Sequence, residues 1–172
     1  MQLKRLFRQG WLKRGVAEAD CESVADHSFG VALLALLAPL PADVPVDRGR
    51  AALLALVHEL GEVYAGDITP VDGVSKEEKA ALERASVDRV LEGHPEAASI
   101  RALWEEFETE SSPEARFVRQ LDRLEMGLQA AVYRAEGKPR MDEFLDSADR
   151  AVRSEELRAL LRRGAAPATI AS

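Results

Sequence analysis

The chain is predicted to fold as a single all-α domain, a helical bundle of about six to eight helices, and three observations predict it. Leu, Ala, Arg and Glu dominate while aromatic residues are only 5% of the 172, the vocabulary of helices rather than of sandwiches or barrels. Apolar residues recur at three- and four-residue spacing through most of the chain. Proline, glycine and Ser or Asp capping residues punctuate those stretches at helical lengths, with no internal repeat and no second domain. The domain is taken to span residues 1–163, with the small-residue tail 164–172 fraying because it has little to bury.

Each element follows in order. Over residues 3–11, Leu3, Leu6, Phe7 and Trp11 share one helical face and Gly10 interrupts it, which predicts a short, broken helix. The next helix is expected to begin within 21–24 and to run through Ala38, where Pro39 and Pro41 forbid continuation. Asp47 is an N-cap type, and Leu53, Leu54, Leu56, Val57, Leu60 and Val63 predict one continuous helix buried on more than one face. Within it His58 and Glu62 would lie one turn apart and address a common centre. Asp67, Pro70, Asp72 and Gly73 mark a loop, after which Ser75 and Glu78 read as a capping box. That helix ends before residues 93–95, and Ile100, Leu103, Trp104 and Phe107 repeat through the next. Ser112 and Pro113 stand in N-cap and first-turn order for a long helix toward Gly137, with Phe117, Val118, Leu121, Leu124, Leu128, Ala131 and Val132 as its buried stripe. Residues 140–163 hold one or two shorter helices.

A hydrophobic content of 47% with 31% charged residues is that of a folding chain. The net charge of -7 argues against general affinity for nucleic acid polymers or anionic membranes, so an anionic ligand must be attracted locally. No apolar run approaches the roughly 20 residues of a membrane span, and the one cysteine, Cys21, has no intrachain partner. A cytoplasmic protein is the expectation.

Only three histidines occur, and two stand beside carboxylates, in Asp26-His27 and His58-Glu59. A lone helical histidine is more often structural than a ligand. The set is more informative: Ser23-Val24-Ala25-Asp26-His27-Ser28, Leu56-Val57-His58-Glu59-Leu60-Gly61-Glu62 and Leu121-Asp122-Arg123-Leu124-Glu125-Met126 resemble the HD superfamily in order and spacing. More narrowly, Gly10-Trp11, Arg14-Gly15-Val16, Gly66-Asp67-Ile68-Thr69-Pro70 and Ser112-Pro113-Glu114-Ala115 are similar to the small HD proteins that include 5'-deoxynucleotidases. The likeness begins at Leu3, so the basic segment carrying Lys4, Arg5, Arg8, Lys13 and Arg14 belongs with the domain rather than with a targeting peptide.

The resemblance implies that His27, His58, Glu59 and Asp122 bind one divalent metal ion, and this donor set suits Mn, Co, Fe or Ni ahead of Mg or Zn. It implies that Glu62 orients or deprotonates a water and that Asp67 serves the substrate sugar and the leaving oxygen. It further implies that Trp11 and Arg14 contact a small-molecule nucleotide, and that the chain forms a homodimer. Bland roles stand beside these: a solvent-facing Glu62, a capping Asp67, a core Trp11 and a surface Arg14. Two departures matter. Glu59 replaces the usual aspartate, extending the carboxylate by about 1.5 Å, and Gly10 stands where relatives carry a basic residue, for which Arg8 or Lys13 would compensate. The expected activity is removal of the 5'-phosphate from (deoxy)nucleoside monophosphates by metal-activated water. The alternative is a catalytically weakened HD domain that binds metal and nucleotide as a sensor or interaction module.

Overall fold

The computed structural model describes residues 1–42 and 44–166. Among them lie nine α-helices, seven of ten residues or more and two of a single turn, with one isolated bridge in place of any sheet. The long ones are α2 (Val24–Leu37), α3 (Arg48–Val57), α5 (Lys76–Leu91), α6 (Ala97–Glu108), α7 (Pro113–Ala135), α8 (Asp142–Ala151) and α9 (Glu155–Ala165); α1 (Gln9–Leu12) and α4 (Glu62–Ala65) are the single turns.

Caps decide most starts. Ser23 Oγ accepts from Asp26 N while Asp26 returns a bond to Ser23 N, so the acid of the Asp26-His27 pair is spent on opening α2. Asp47, Ser75, Ser112 and Ser154 cap α3, α5, α7 and α9, each bond contributing about 1 kcal/mol. At Ser75 one arm of the expected box forms, from Glu78 N.

Helix α7 is the spine. Phe117, Val118, Leu121 and Leu124 are fully buried on it, α2 and α3 pack on one side, and α8 and α9 pack on the other. A second, smaller cluster of Val87, Leu91 and Trp104 joins α5 to α6. Gly127 lets α8 and α9 close on α7, because a Cβ there would lie 2.7 Å from both Ala148 and Leu161.

Four expectations change. The short, broken helix expected over residues 3–11 is reduced to a 3-10 turn at Gln2–Lys4 and the start of α1, and between them Leu6 and Arg8 exchange backbone bonds with Val24 and Glu22 while Phe7 bridges to Ser23, so tertiary pairing overrides the local pattern there. The helix opened by Asp47 does not run on to Val63. It ends at Val57, and residues 58–61 tighten into i to i+3 bonds before α4. Gly61 lies in this turn, and its missing Cβ would lie 2.8 Å from Glu83 Cβ, so α5 packs directly against the chain here. Leu53, Leu56 and Val132 are about half exposed, so α3 buries one face, through Ala51, Leu54 and Ala55. Finally α9 takes in Gly164, whose missing Cβ makes room for Leu128; the rest of the expected tail, from residue 167 on, lies outside the described residues.

Candidate active site

Two helices and the turn after a third converge on one buried point. His27 sits one turn inside α2, His58 and Glu59 follow the last residue of α3, and Asp122 lies midway along α7 between the core residues Leu121 and Leu124. One ligand atom from each of His27, His58, Glu59 and Asp122 lies within 4.8 Å of all the others. His27 Nε2 is 3.3 Å from Asp122 Oδ1 and 3.7 Å from Glu59 Oε1, and His58 Nε2 is 3.5 Å from Glu59 Oε1.

Both Nε2 atoms are buried and neither makes a hydrogen bond. Their Nδ1 atoms are engaged: His27 Nδ1 meets Glu125 Oε2 at 2.5 Å, and His58 Nδ1 meets the Ala55 carbonyl at 2.6 Å. An imidazole donating backward through Nδ1–H leaves the Nε2 lone pair facing forward, which is the form that ligates a metal. Left alone, the orphaned nitrogens cost on the order of a few kcal/mol. A divalent cation satisfies them together with the two carboxylates, so these residues fit such an ion.

The electrostatics divide the site. Burial pulls the His58 pKa down from that of an ordinary imidazole. Burial and Arg8 both pull the His27 pKa down, but the Asp122 and Glu125 carboxylates outweigh them and hold it at about 9. Burial works to raise Asp122, yet its approach to His27 and the charge of Arg123 keep it well below the usual carboxylate range. Glu59 stays low against the same burial because of His58 and Arg8. Glu62 is the exception. It is 3% exposed, its Oε2 has no partner, and burial with the neighbouring charges of Glu59 and Asp67 pushes its carboxyl up to about 10.

The cluster floors a cavity of about 880 Å³, within the range of small-molecule sites. Glu62 and Asp67 line it, so despite the broken helix Glu62 still shares the space of His58. Asp67 is also a cap, since its Oδ2 accepts from Gln9 N of α1 at 2.6 Å. Trp11 is a core residue that contributes to the wall: it is 2% exposed, its indole N–H donates to Glu22 at 2.7 Å, and its ring lies on Phe144. Arg14 lines the cavity while bonded to Glu143 of α8 at 2.9 Å.

Of the two cations considered as substitutes near Gly10, Lys13 turns to Thr69 and Asp72 in the following loop. Arg8 enters the site. Its guanidinium is 3.2 Å from Glu59 and 4.0 Å from Asp67, and those carboxylates keep it charged against the opposing effect of burial. The sequence offered Arg8 only as one of two candidate substitutes and placed Glu125 beside Asp122 in the resembling motif without a role; its place three residues after Asp122, on the same face of α7, was the available signal. His94 is exposed and bonds locally to Glu96 N, away from the cluster.

The chain has known relatives. The family model described as HD domain matches residues 1–161. The chain is 43% identical over 150 residues to the 5'-deoxynucleotidase HDDC2 of Bos taurus, covering 85% of this chain and 71% of that protein. It is 36% identical over 138 residues to the 5'-deoxynucleotidase hdd1 of Schizosaccharomyces pombe, covering 77% and 67%. Among solved structures, a protein of Pyrococcus horikoshii superposes with a TM-score of 0.73 at 35% identity, over 95% of this chain and 93% of that one. Another, described as a predicted metal-dependent phosphohydrolase from Magnetospirillum magnetotacticum, superposes with a TM-score of 0.68 at 29% identity, over 95% and 84%. With a histidine and carboxylate cluster of this order at the floor of an all-helical bundle, and a family match over nearly its whole length, the chain belongs to the HD domain family.

Proposed function

We propose that this protein is a divalent-metal-dependent 5'-nucleotidase that removes the 5'-phosphate from deoxynucleoside monophosphates. The observation that carries the reading is the pair of buried, unpartnered Nε2 atoms of His27 and His58, turned toward the Glu59 and Asp122 carboxylates below a nucleotide-sized cavity. Those four residues hold one cation, and their nitrogen and oxygen donors favour Mn, Co, Fe or Ni over Mg or Zn. Bound there, the ion supplies Lewis acidity toward a phosphoryl oxygen and lowers the pKa of water toward neutrality.

The remaining residues divide the work of binding and proton transfer. A cation held by the cluster would oppose the charges of Glu59 and Asp67 that keep the Glu62 carboxyl protonated, and once ionised Glu62 would present its free Oε2 to the attacking water and accept a proton from it. Asp67, anchored through Oδ2 to Gln9, keeps Oδ1 for the sugar and the leaving 5'-oxygen. Arg8 and Arg14 supply countercharge for the phosphate, and Trp11 supplies wall for the sugar or base.

The test is phosphate release over a panel of ribo- and deoxynucleoside monophosphates with added Mn or Co. Wild-type turnover that disappears in Glu62→Ala supports the enzyme. A silent wild type that gains turnover as Glu59→Asp supports the weakened, ligand-binding reading instead, which the 3.2 Å pairing of Glu59 with Arg8 favours because it draws that carboxylate from the cation. We also infer a homodimer, supported by the exposed apolar side chains Phe29, Leu33 and Leu37 of α2 and Leu53 and Leu56 of the adjoining α3; sedimentation velocity checks it. A reducing cytoplasm suits the free thiol of Cys21.

A further inference from the structure

Behind His27, on the side away from the cation site, lies a second group of acids. Glu125 of α7 reaches His27 Nδ1 at 2.5 Å, and one carboxylate oxygen each of Glu22 and Glu125 lies with that imidazole inside a 4.8 Å cluster. Glu22 is itself fixed: Trp11 Nε1 donates to its carboxylate at 2.7 Å, and its backbone N donates to Tyr133 Oη at 2.8 Å. Gly30, one turn after His27 on α2, completes the arrangement. A Cβ at Gly30 would lie 2.7 Å from Glu125 Oε1, 3.1 Å from its Cγ and 3.2 Å from its carboxyl carbon. Glycine inside a helix costs about 1 kcal/mol relative to alanine, and here the omitted methyl is the seat of the Glu125 carboxylate.

We propose that Glu125 is the positioning residue of the metal centre, seated by Gly30, and that its hydrogen bond holds His27 as the Nδ1–H tautomer with Nε2 open to the cation. This rests on the reading of His27 as a metal ligand. The physical reason is that a neutral imidazole carries one proton; without an acceptor behind Nδ1, the Nε2–H form competes, and that form cannot ligate through Nε2. Glu22, held by Trp11, has a carboxylate oxygen within 4.8 Å of both Glu125 and His27.

The test compares metal affinity in near-isosteric variants. Glu125→Gln keeps an acceptor for Nδ1–H, whereas Glu125→Met keeps the length and removes it. Titration of the metal-free protein with Mn is expected to show affinity lowered about 10- to 100-fold in Glu125→Met and within about threefold of wild type in Glu125→Gln. Gly30→Ala is the independent variant, because the helix propensity gained works against the cost of moving the Glu125 carboxylate and helps to keep the fold. The displaced carboxylate should nevertheless weaken Mn binding about three- to tenfold and alter the visible spectrum of the Co-loaded protein.

Wild-type affinity and an unchanged Co spectrum in Gly30→Ala would overturn the proposal, as would equal losses in Glu125→Gln and Glu125→Met. If Glu125→Met fails to fold, Gly30→Ala decides alone. A wild type that binds no Mn is a different failure, since it removes the metal reading itself.

Discussion

The floor of the cavity and its N-terminal wall are built by different means. The floor hangs on long elements: His27 is set by α2, Asp122 by α7 and His58 by the end of α3, each within a turn of side chains fully buried in the core. Its polar groups are anchored from behind, Nδ1 of His27 by Glu125 and Nδ1 of His58 by Ala55. In the wall, Trp11 of the single turn α1 is seated in the core, but Arg14 and the loop at residues 66–73 are tied by ion pairs such as Arg14 to Glu143 and Lys13 to Asp72. Exposed pairs of that kind contribute about 0 to 1 kcal/mol, whereas rearranging the floor means repacking three helices. A rigid floor suits a cation, which demands fixed ligand distances; a lightly tethered wall suits an organic ligand that must enter and leave.

Variants can break this contrast, beginning at the floor. Asp122→Ala is expected to reduce phosphate release about a thousandfold or more, with metal content of the purified protein falling in parallel; unchanged turnover would sink the assignment of the cluster. Glu62→Gln is expected to reduce turnover by about 10² to 10⁴ while leaving Mn affinity within about twofold, which titration against wild type checks.

A pH series separates the floor from the rest of the molecule. In the cation-free protein His27 holds its proton to about pH 9, against 6.5 for an ordinary imidazole, so over that interval the folded chain binds more protons than the unfolded one. The stabilisation is therefore complete below pH 6.5 and declines as pH rises toward 9. A cation takes the place of that proton, so apparent Mn affinity should rise about tenfold per pH unit up to 9, and melting curves of loaded protein should lose the alkaline decline.

Smaller effects are expected where floor meets wall. Glu59→Asp withdraws the carboxylate from Arg8 by about 1.5 Å and should change turnover by no more than about tenfold. Arg14→Ala, at the wall itself, should raise KM about three- to tenfold with kcat nearly unchanged and shift the melting temperature by only about 1 to 3 °C. A collapse of kcat in Arg14→Ala would mean that the wall is as tightly coupled to the chemistry as the floor.

The floor was also the more legible half. Helix type and the caps at Ser23, Asp47 and Ser112 are local properties, because periodicity and capping depend on neighbours a few residues away, whereas His27, His58, Glu59 and Asp122 stood out through the resemblance to the HD superfamily. The break after Val57 was not legible. The turn that follows packs its Gly61 against Glu83, from a helix some twenty residues downstream, a contact that local periodicity does not report. Nor was the fate of residues 3–11, whose backbone chose Glu22 and Val24 over its own helix.

By itself the sequence determined the all-helical class and the caps, since those follow from residue chemistry and short-range spacing, and its resemblance to the HD superfamily supplied the candidate ligands. Only the tertiary structure decided that Arg8 rather than Lys13 enters the site, that Trp11 is spent on Glu22, and that Glu125 backs His27. Those choices join residues far apart in the chain, and which distant groups meet is set by how the helices pack, not by any pattern within one of them.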